Sequence, residues 1–284
     1  MLSRLYVKSC LLSFPKGKLH FSSYNFLFGQ LNLTLKFFLF QAKLVRSKYD
    51  GSHVTMVYSA LSTLLLLGDN LSRVDRRGTL AGLSAMQCSD EPGLFKAGDI
   101  CGERDMRFVF SAVASCYILN GLDSINCENV ADFTYQGGFA NLPYLEAHAG
   151  ATYCAVASLS LIGKLESVIP SGSKSRELLI KWLLNLQEEG FHGRVGKPDD
   201  TCYTFWVCAS LKILNCHHLV DKNSAVRFVT RCWNDVIGAF TKTPDQFCTP
   251  GKSLAVLIPY SVQLINFLTK CFLLSQSVLC MFKT

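Results

Sequence analysis

One segment, from His192 to Trp206, holds the residue types best suited to chemistry. It reads HGRVGKPDDTCYTFW. Within it, Asp200 and Cys202 offer a carboxylate and a thiol two positions apart, a pair that can bind a borderline-soft metal such as zinc. Three cations or near-cations come before the pair: His192, Arg194 and Lys197. Positive charge beside a metal pair suits a phosphate-bearing substrate. The segment therefore predicts an active site, although a solvated basic loop with a buried cysteine explains it about equally well.

The composition favours a packed globular body with an uneven charge. The chain has 284 residues, of which 49% are hydrophobic and 17% charged, enough for a large core in one or two domains. The net charge of +7 comes from both ends, because no acidic residue precedes Asp50 or follows Asp245. Between them, 17 basic residues face all 21 acidic ones. A mildly acidic body argues against nucleic acid as a partner.

The cysteines do not form the framework of a secreted disulfide protein. There are 13, an odd number, and no two have C-x-x-C spacing. Several lie in apolar, helix-like runs, where a free thiol behaves as a small hydrophobe. These are Cys116, Cys154, Cys208 and Cys216. A reducing compartment follows, and the cytoplasm is the predicted location.

Three unequal parts are predicted along the chain. Residues 1–47 are an atypical, basic and acid-free N-terminal extension, for which a mitochondrial transit peptide is an alternative interpretation. Residues 246–284 form an atypical apolar tail that Pro259 and Lys270 interrupt. Polar residues also interrupt the apolar stretch at 24–42, so no stable membrane insertion is expected. Residues 48–245 form the body.

The body contains an internal repeat. A glycine–aromatic turn recurs at Gly93-Leu94-Phe95, Gly138-Phe139, Gly190-Phe191 and Gly238-Ala239-Phe240. Each of the first three turns is followed by a run rich in small residues, which predicts inner helices at 107–119, 149–162 and 201–214. A second, amphipathic helix is predicted at 175–188. Paired helices repeated at this period indicate an all-α fold of stacked units, which fits an α/α toroid and equally an open solenoid.

Four segments together resemble a known family. Besides the segment at His192 they are YDGSHVTMVYSALSTLLLLGDNLSRV from Tyr49, DMRFVF from Asp105 and LEAHAGATYCAVASLSLIGKLE from Leu145. They resemble the β subunits of protein prenyltransferases, most closely those of the type I geranylgeranyl enzyme. The resemblance implies an α/α toroid that forms a heterodimer with a prenyltransferase α subunit. It also implies transfer of a geranylgeranyl group from geranylgeranyl diphosphate to a CaaX-type cysteine of proteins such as small GTPases.

The resemblance further implies roles for single residues. Asp200 and Cys202 correspond to two of the three protein ligands of one zinc ion that binds the substrate thiolate, and Tyr203 joins them as a catalytic residue. The implied diphosphate-binding set is His148, Arg194, Lys197, Tyr203 and Lys242. The implied peptide or isoprenoid contacts are Arg107, Phe139, Tyr153, Phe205 and Trp206. Lys242 stands where the farnesyl enzyme uses an acidic residue with magnesium, so no magnesium requirement is expected.

Each of these residues also has an ordinary structural interpretation. Cys202 could be a core thiol, His148 a helix cap, and Arg107 a partner for Asp105 at a helix start. Arg194 and Lys197 could belong to an exposed basic loop, and the aromatic residues to an ordinary core.

Two departures from the family separate the functional hypotheses. The family's third zinc ligand, a histidine, falls at Lys252, and no histidine follows His218. Residues 1–47 do not resemble the family, so the toroid is expected to be incomplete at both ends. The first hypothesis is a zinc-dependent geranylgeranyltransferase β subunit, with the Rab-type enzyme as its nearest competitor. The second is a catalytically impaired repeat protein that only binds the α subunit or isoprenoid.

Overall fold

The computed structural model describes residues 53–66, 69–91, 93–99, 101–128, 137–142, 144–234 and 239–244. Within these ranges the regular secondary structure is mostly helical, as predicted. The α-helices are α1 (Val54–Leu66), α2 (Arg76–Ala85), α3 (Met106–Ile118), α4 (Ala149–Leu161), α5 (Leu165–Val168), α6 (Lys174–Leu184), α7 (Thr201–Ile213) and α8 (Lys222–Arg231). Two short 3₁₀ helices lie at Leu122–Ser124 and His217–Leu219. A two-stranded antiparallel hairpin, β1 (Trp233–Asn234) and β2 (Ala239–Phe240), was not predicted.

The helices form an inner and an outer layer. Helices α1, α3, α4 and α7 pack side by side in that order, while α2 contacts α3, and α6 and α8 contact α7. The inner helix α3 buries ten of its 13 residues, whereas α6 and α8 bury three each. The division into a buried layer and a charged outer layer is therefore the predicted one.

Small residues let the inner helices approach closely. All of the predicted small residues of this layer are buried: Ala112, Ala114, Ser115, Ala155, Ala157, Ser158, Ala209 and Ser210. The serine hydroxyls are satisfied within their own helices, because each donates to the carbonyl oxygen four residues earlier at 2.7–2.8 Å. Polar side chains can thus be buried here without a partner from another helix.

The inner helices α3, α4 and α7 begin and end in the same way. Their N-caps are Asp105, His148 and Asp200, and each side chain accepts the backbone N–H two residues further on. Each helix is followed, two residues beyond its end, by a residue with positive φ. These residues are Asn120, Gly163 and Asn215. The next backbone N–H then bonds back to a carbonyl of the last turn at 2.7–2.9 Å, which terminates the helix.

Two of the glycine–aromatic turns require glycine because another ring lies against the backbone. A Cβ atom at Gly138 would lie 2.8 Å from the Trp182 ring of α6. A Cβ atom at Gly190 would lie 2.5 Å from the Phe228 ring of α8. The aromatic residues of the first three turns, Phe95, Phe139 and Phe191, are buried in the core, whereas Phe240 is only partly buried. The sequence repeat therefore reflects a repeated contact between a turn and the next outer helix.

Some predictions changed or lie outside the described residues. Helix α6 ends at Leu184 instead of 188, because the backbone of Gln187 turns to form an antiparallel bridge with Phe191. The Gln187 side chain exchanges hydrogen bonds with the backbone of Asp221. The segments 1–47 and 246–284, together with Lys252 and Gly238, lie outside the described residues. Among the described helices, none combines the length and the apolar character needed to cross a bilayer.

Candidate functional site

Asp200 and Cys202 lie together at the N-terminus of α7. The Asp200 side chain caps the helix, and its Oδ1 accepts the Cys202 backbone N–H at 2.8 Å. Asp200 is 7% exposed, and its carboxylate lies close enough to the Cys202 thiol to act on its pKa. The two side chains therefore converge, as the metal hypothesis requires.

The environment of Cys202 favours the neutral thiol as long as no cation is bound. Burial raises the pKa of the Cys202 thiol to about 12, and the charge of Asp200 acts in the same direction. A bound divalent ion reverses this balance, because it stabilises the thiolate directly. A carboxylate oxygen and a sulfur suit zinc by their chemistry. Within the described ranges, however, no third His, Cys, Asp or Glu side chain completes a cluster with this pair.

Lys242 reaches this pair from the segment that follows β2. Its Nζ lies 3.6 Å from Asp200 Oδ2, with the lysine side chain 59% exposed. The segment is fixed by Thr201, whose backbone N–H donates to Lys242 O at 3.0 Å and whose hydroxyl donates to Thr241 O at 2.9 Å. An ammonium is therefore held next to the candidate metal pair.

His148 and Tyr203 form the second part of the site. His148 Nδ1 accepts the Gly150 backbone N–H at 3.1 Å, and Nε2 lies 3.1 Å from Tyr203 Oη. Burial, followed by the charge of Arg194, lowers the pKa of His148 below its usual value. The ring is therefore neutral at neutral pH, and since Nδ1 accepts, Nε2 carries the hydrogen. Tyr203 Oη accepts this hydrogen, which leaves the phenol proton to be donated to a ligand.

Tyr203 connects the metal pair with the basic loop. Burial raises the pKa of the Tyr203 phenol; Asp200 and Cys202 add to the rise, and Arg194 opposes it. The Tyr203 ring presses on the loop, since a Cβ atom at Gly193 would lie 2.4 Å from it. The phenol therefore stays protonated within electrostatic range of all three groups.

The basic loop itself matches its prediction only in part. Arg194 is exposed and pairs with Glu146 at 3.0 Å, and the exposed Lys197 has no carboxylate within 4 Å among the described residues. His192, predicted as a third near-cation of the site, is only 6% exposed. It is instead hydrogen-bonded to Asp199 at 3.3 Å and holds the loop together. Its role as a ligand-facing cation is corrected to a structural one.

A cavity of about 440 Å³ opens among the inner helices. Its volume lies within the range of about 300–1,000 Å³ that is usual for small-molecule sites. Five of the residues singled out in the sequence line it: Arg107, His148, Tyr153, Phe205 and Trp206. His148 belongs to the cavity wall and to the Tyr203 pair, so the apolar cavity and the polar site adjoin.

One wall of the cavity is a continuous row of aromatic rings. Tyr58, Phe110, Tyr153 and Phe205 come from α1, α3, α4 and α7, one from each inner helix. Neighbouring ring centroids are 5.2, 5.3 and 5.4 Å apart, within the range of favourable aromatic contacts. The row presents an extended apolar surface suited to a long unsaturated chain.

Tyr58 and Phe110 were not predicted, although the sequence holds a signal for them. Each ring lies five residues after the residue that precedes its helix. The four pairs are His53 with Tyr58, Asp105 with Phe110, His148 with Tyr153, and Asp200 with Phe205. The residues that precede the four helices therefore mark all four rings of the wall, which the glycine turns do not.

Arg107 lines the cavity and also has its ordinary structural partner. Its Nε lies 2.9 and 3.0 Å from the two Asp105 carboxylate oxygens, and Nη2 bonds Glu103 at 2.7 Å. These bonds, the Asp105 bond first, raise the pKa of Arg107 above its usual value. The side chain is 56% exposed. Both interpretations given for Arg107 are therefore compatible with its position.

Phe139 does not join the cavity wall. The residue is 1% exposed, and its backbone N–H donates to Thr152 Oγ1 at 2.9 Å. Its ring belongs to the core of a glycine–aromatic turn and is absent from the cavity lining. The predicted isoprenoid contact at Phe139 is therefore wrong, because the repeat uses this position to anchor the turn.

Known proteins share both the sequence pattern and the fold. The chain is 38% identical over 211 residues to the geranylgeranyl transferase type-1 subunit beta of Arabidopsis thaliana and 36% over 204 residues to that of Dictyostelium discoideum. Each alignment covers 70% of this chain and 56% of the relative, so the chain spans about half the length of these relatives.

A solved structure, Candida albicans protein geranylgeranyltransferase-I complexed with GGPP, has a similar fold. Its TM-score is 0.70 at 20% identity, over 99% of this chain and 94% of that chain. The α/α-toroid prediction is thereby confirmed. The family model described as the prenyltransferase alpha-alpha toroid domain matches residues 7–265. This match extends past 48–245 on both sides, so the domain boundaries stay predictions. The chain belongs to the prenyltransferase α/α-toroid family.

Proposed function

We propose that this chain is the β subunit of a protein geranylgeranyltransferase of type I. It would transfer a geranylgeranyl group from geranylgeranyl diphosphate to a CaaX-type cysteine. The observation that carries the proposal is the junction at His148, where an aromatic-walled cavity adjoins a cluster of hydrogen-bond donors and cations. A lipid with a charged head needs this combination. The type-1 names of the relatives support the same substrate class.

The apolar chain and the diphosphate would be bound by different groups. The wall of four rings provides the surface for the isoprenoid, since each buried methylene contributes about 0.8 kcal/mol. The Tyr203 phenol donates a hydrogen bond to a diphosphate oxygen, and Arg194 and Lys197 supply positive charge. Arg194 must leave Glu146 to do so, which its exposure permits.

The reaction needs no nucleophile from this chain. The substrate thiolate attacks the first carbon of the isoprenoid, a carbon–sulfur bond forms, and the carbon–oxygen bond to diphosphate breaks. The diphosphate leaves with the electron pair. Hydrogen bonds from Tyr203 and charge from Arg194 stabilise the negative charge on the leaving group, and one such donor typically contributes roughly 3 kcal/mol.

A zinc ion is the proposed cofactor, with Asp200 and Cys202 as two ligands. When bound, zinc lowers the pKa of the substrate thiol so that the thiolate forms near neutral pH. Lys242 lies 3.6 Å from Asp200 and adds positive charge on the same side, which supports chemistry without magnesium. The remaining zinc ligands would come from residues outside the described ranges, from water or from the substrate.

The partner and the compartment follow from the same proposal. The relatives are named as β subunits, so a prenyltransferase α subunit is the proposed partner. Small GTPases with a CaaX terminus are the proposed protein substrates. All nine described cysteines are free thiols, which supports the cytoplasm as the compartment.

The test is prenyl transfer by this chain co-purified with an α subunit. Geranylgeranyl diphosphate should label a peptide ending in CaaX, while a peptide with serine in place of the cysteine should remain unlabelled. Labelling only of a Rab protein with a C-terminal cysteine pair would replace type I by the Rab-type enzyme. A stable complex that labels no acceptor would contradict transferase activity.

A second candidate is a non-catalytic subunit that binds the α subunit or an isoprenoid. It is favoured by the two-donor metal pair, since no third ligand joins it within the described residues. Catalytic zinc sites usually have three protein ligands. This candidate predicts binding of geranylgeranyl diphosphate without turnover and with less than one zinc per chain.

A further inference from the structure

The two exposed cations of the site lie at the tip of a closed loop between α6 and α7. At the tip, Lys197 N donates to Arg194 O at 3.3 Å, and Gly196 adopts a φ of 74°. At the base, Asp200 N donates to Phe191 O at 2.9 Å. Residues 194–198 of the tip are all exposed, so their position depends on how firmly the base is held.

His192 and Asp199 hold the base from inside. His192 is 6% exposed, and the Asp199 side chain is 10% exposed. His192 Nδ1 lies 3.3 Å from Asp199 Oδ1, while Oδ2 accepts the Gly190 backbone N–H at 2.7 Å. A carboxylate only accepts, so Nδ1 carries the hydrogen. Both oxygens of a nearly buried carboxylate thus connect the two sides of the loop.

Gly193, the residue after His192, connects the base of the loop with His148 and Tyr203. Gly193 O accepts the Ala149 backbone N–H at 2.9 Å, at the start of the helix that His148 caps. The Gly193 backbone also lies against the Tyr203 ring. A shift of residue 193 would therefore displace Tyr203 and its partner His148 as well as Arg194.

Besides the Asp200–Phe191 bond of the loop base, the metal pair is held by bonds that do not involve the loop. Asp200 caps α7 directly, and Thr201 ties the start of that helix to residues 241 and 242. A change at His192 should consequently disturb the anion site and leave the metal pair in place.

We propose that His192, through its hydrogen bond to Asp199, is a positioning residue that holds Arg194 and Tyr203 in the arrangement that binds the diphosphate. The inference rests on the proposed function and deepens it by assigning a role to a buried residue that touches no substrate.

The experiment compares four forms of the chain, each co-purified with an α subunit. His192→Leu removes the donor, and His192→Asn retains an N–H near the position of Nδ1. His218→Leu is the matched control, an exposed histidine beyond the end of α7. The measurements are calorimetric binding of inorganic pyrophosphate, zinc content, and the rate of trypsin cleavage after Arg194. Cleavage after Lys197 does not interfere, because Pro198 follows it.

His192→Leu should weaken pyrophosphate binding roughly 10-fold, as is typical when a supporting partner of a binding residue is lost. It should also speed cleavage after Arg194 and leave the zinc content unchanged. His192→Asn should bind pyrophosphate within about threefold of the unmodified chain, since its hydrogen bond persists. The His218→Leu control should match the unmodified chain in all three measurements.

Other results would overturn the inference. Unchanged pyrophosphate affinity in His192→Leu would do so, and so would a parallel loss of zinc, which would indicate general destabilisation. If His192→Leu does not fold, His192→Gln replaces it, because its amide lies too far out to mimic Nδ1; equal binding by the Gln and Asn variants would overturn the inference. Failure of the unmodified complex to bind pyrophosphate refutes the diphosphate site itself, a result distinct from a difference among variants.

Discussion

The N-termini of α3 and α7 use the same local geometry for different chemistry. Asp105 and Asp200 are buried helix caps, 6% and 7% exposed, and each accepts the backbone N–H two residues on at 2.8 Å. In α3 the side chain at that second position is Arg107, and in α7 it is Cys202. The two sites differ mainly in this one residue.

Charge separates the two sites. Arg107 neutralises Asp105 by binding both of its oxygens, and both carboxylate oxygens therefore already have a charged partner. Cys202 adds no charge, and the one ammonium within 4 Å of Asp200 in the described part of the chain is the half-exposed Lys242. The second helical residue therefore distinguishes a buried aspartate in a closed ion pair, Asp105, from one that remains open to a ligand, Asp200.

The largest effect is expected from removing the sulfur. Cys202→Ala should reduce zinc content to near zero and slow geranylgeranyl transfer by more than roughly 100-fold, because losing a ligand exceeds the effect of losing a supporting partner. Zinc analysis and a single-turnover transfer assay check this. Cys208→Ala, a buried thiol of the same helix, should keep its zinc; a zinc loss there too would remove the special role of Cys202.

The next largest effect should distinguish the role of Asp200 as a helix cap from its role as a metal ligand. Asparagine caps helices about as well as aspartate, so Asp200→Asn and Asp105→Asn should both retain their helices. Asp200→Asn should weaken zinc binding at least roughly 10-fold. Asp105→Asn should leave zinc binding unchanged and lower the free energy of unfolding by less than about 1 kcal/mol, since Arg107 is half-exposed. Equal zinc affinities in the two variants would contradict the proposed difference between Asp105 and Asp200.

A smaller loss of transfer rate is expected when the Tyr203 hydroxyl, which lies between the metal pair and the basic loop, is removed. Tyr203→Phe removes a donor to a charged ligand, worth about 1.5–3 kcal/mol, and should slow transfer roughly 10- to 100-fold. The zinc content should not change. Tyr153→Phe keeps its ring in the aromatic wall and should stay within about threefold of the unmodified rate. Similar losses in both variants would indicate a general effect on the cavity.

Raising the pH should strengthen zinc binding. Zinc binds the thiolate, and the pKa of Cys202 is raised to about 12, so at neutral pH the thiol must release a proton when zinc binds. Apparent zinc affinity should therefore rise about 10-fold per pH unit between roughly pH 6 and 8. Zinc titrations with a competing chelator measure this slope. Cys202→Asp, which has no proton to release in that range, should flatten it.

Much of the fold was predictable because the sequence signals of each repeat lie close together along the chain. The cap residues, the glycine turns and the small residues of the inner layer each have a sequence signal. Asp200 and Cys202 were found for the same reason, since their contact spans a single helical turn. Arg107 and His148 were assigned both a structural and a functional role, and the structure is compatible with both.

The remaining features depend on contacts between distant parts of the chain. The aromatic wall joins four helices, so Tyr58 and Phe110 could not be recognised before the helices were aligned. Lys242 approaches Asp200 only because Thr201 ties the segment after β2 to α7. In the sequence His192 lies near charged and polar residues, yet folding of the loop buries it against Asp199.

Zinc-edge X-ray absorption of the chain in complex with its α subunit would show directly whether Cys202 binds zinc. We expect about one zinc per chain, with a sulfur neighbour at roughly 2.3 Å that disappears in Cys202→Ala. A complex without zinc, or a zinc shell of oxygen and nitrogen alone, would contradict it.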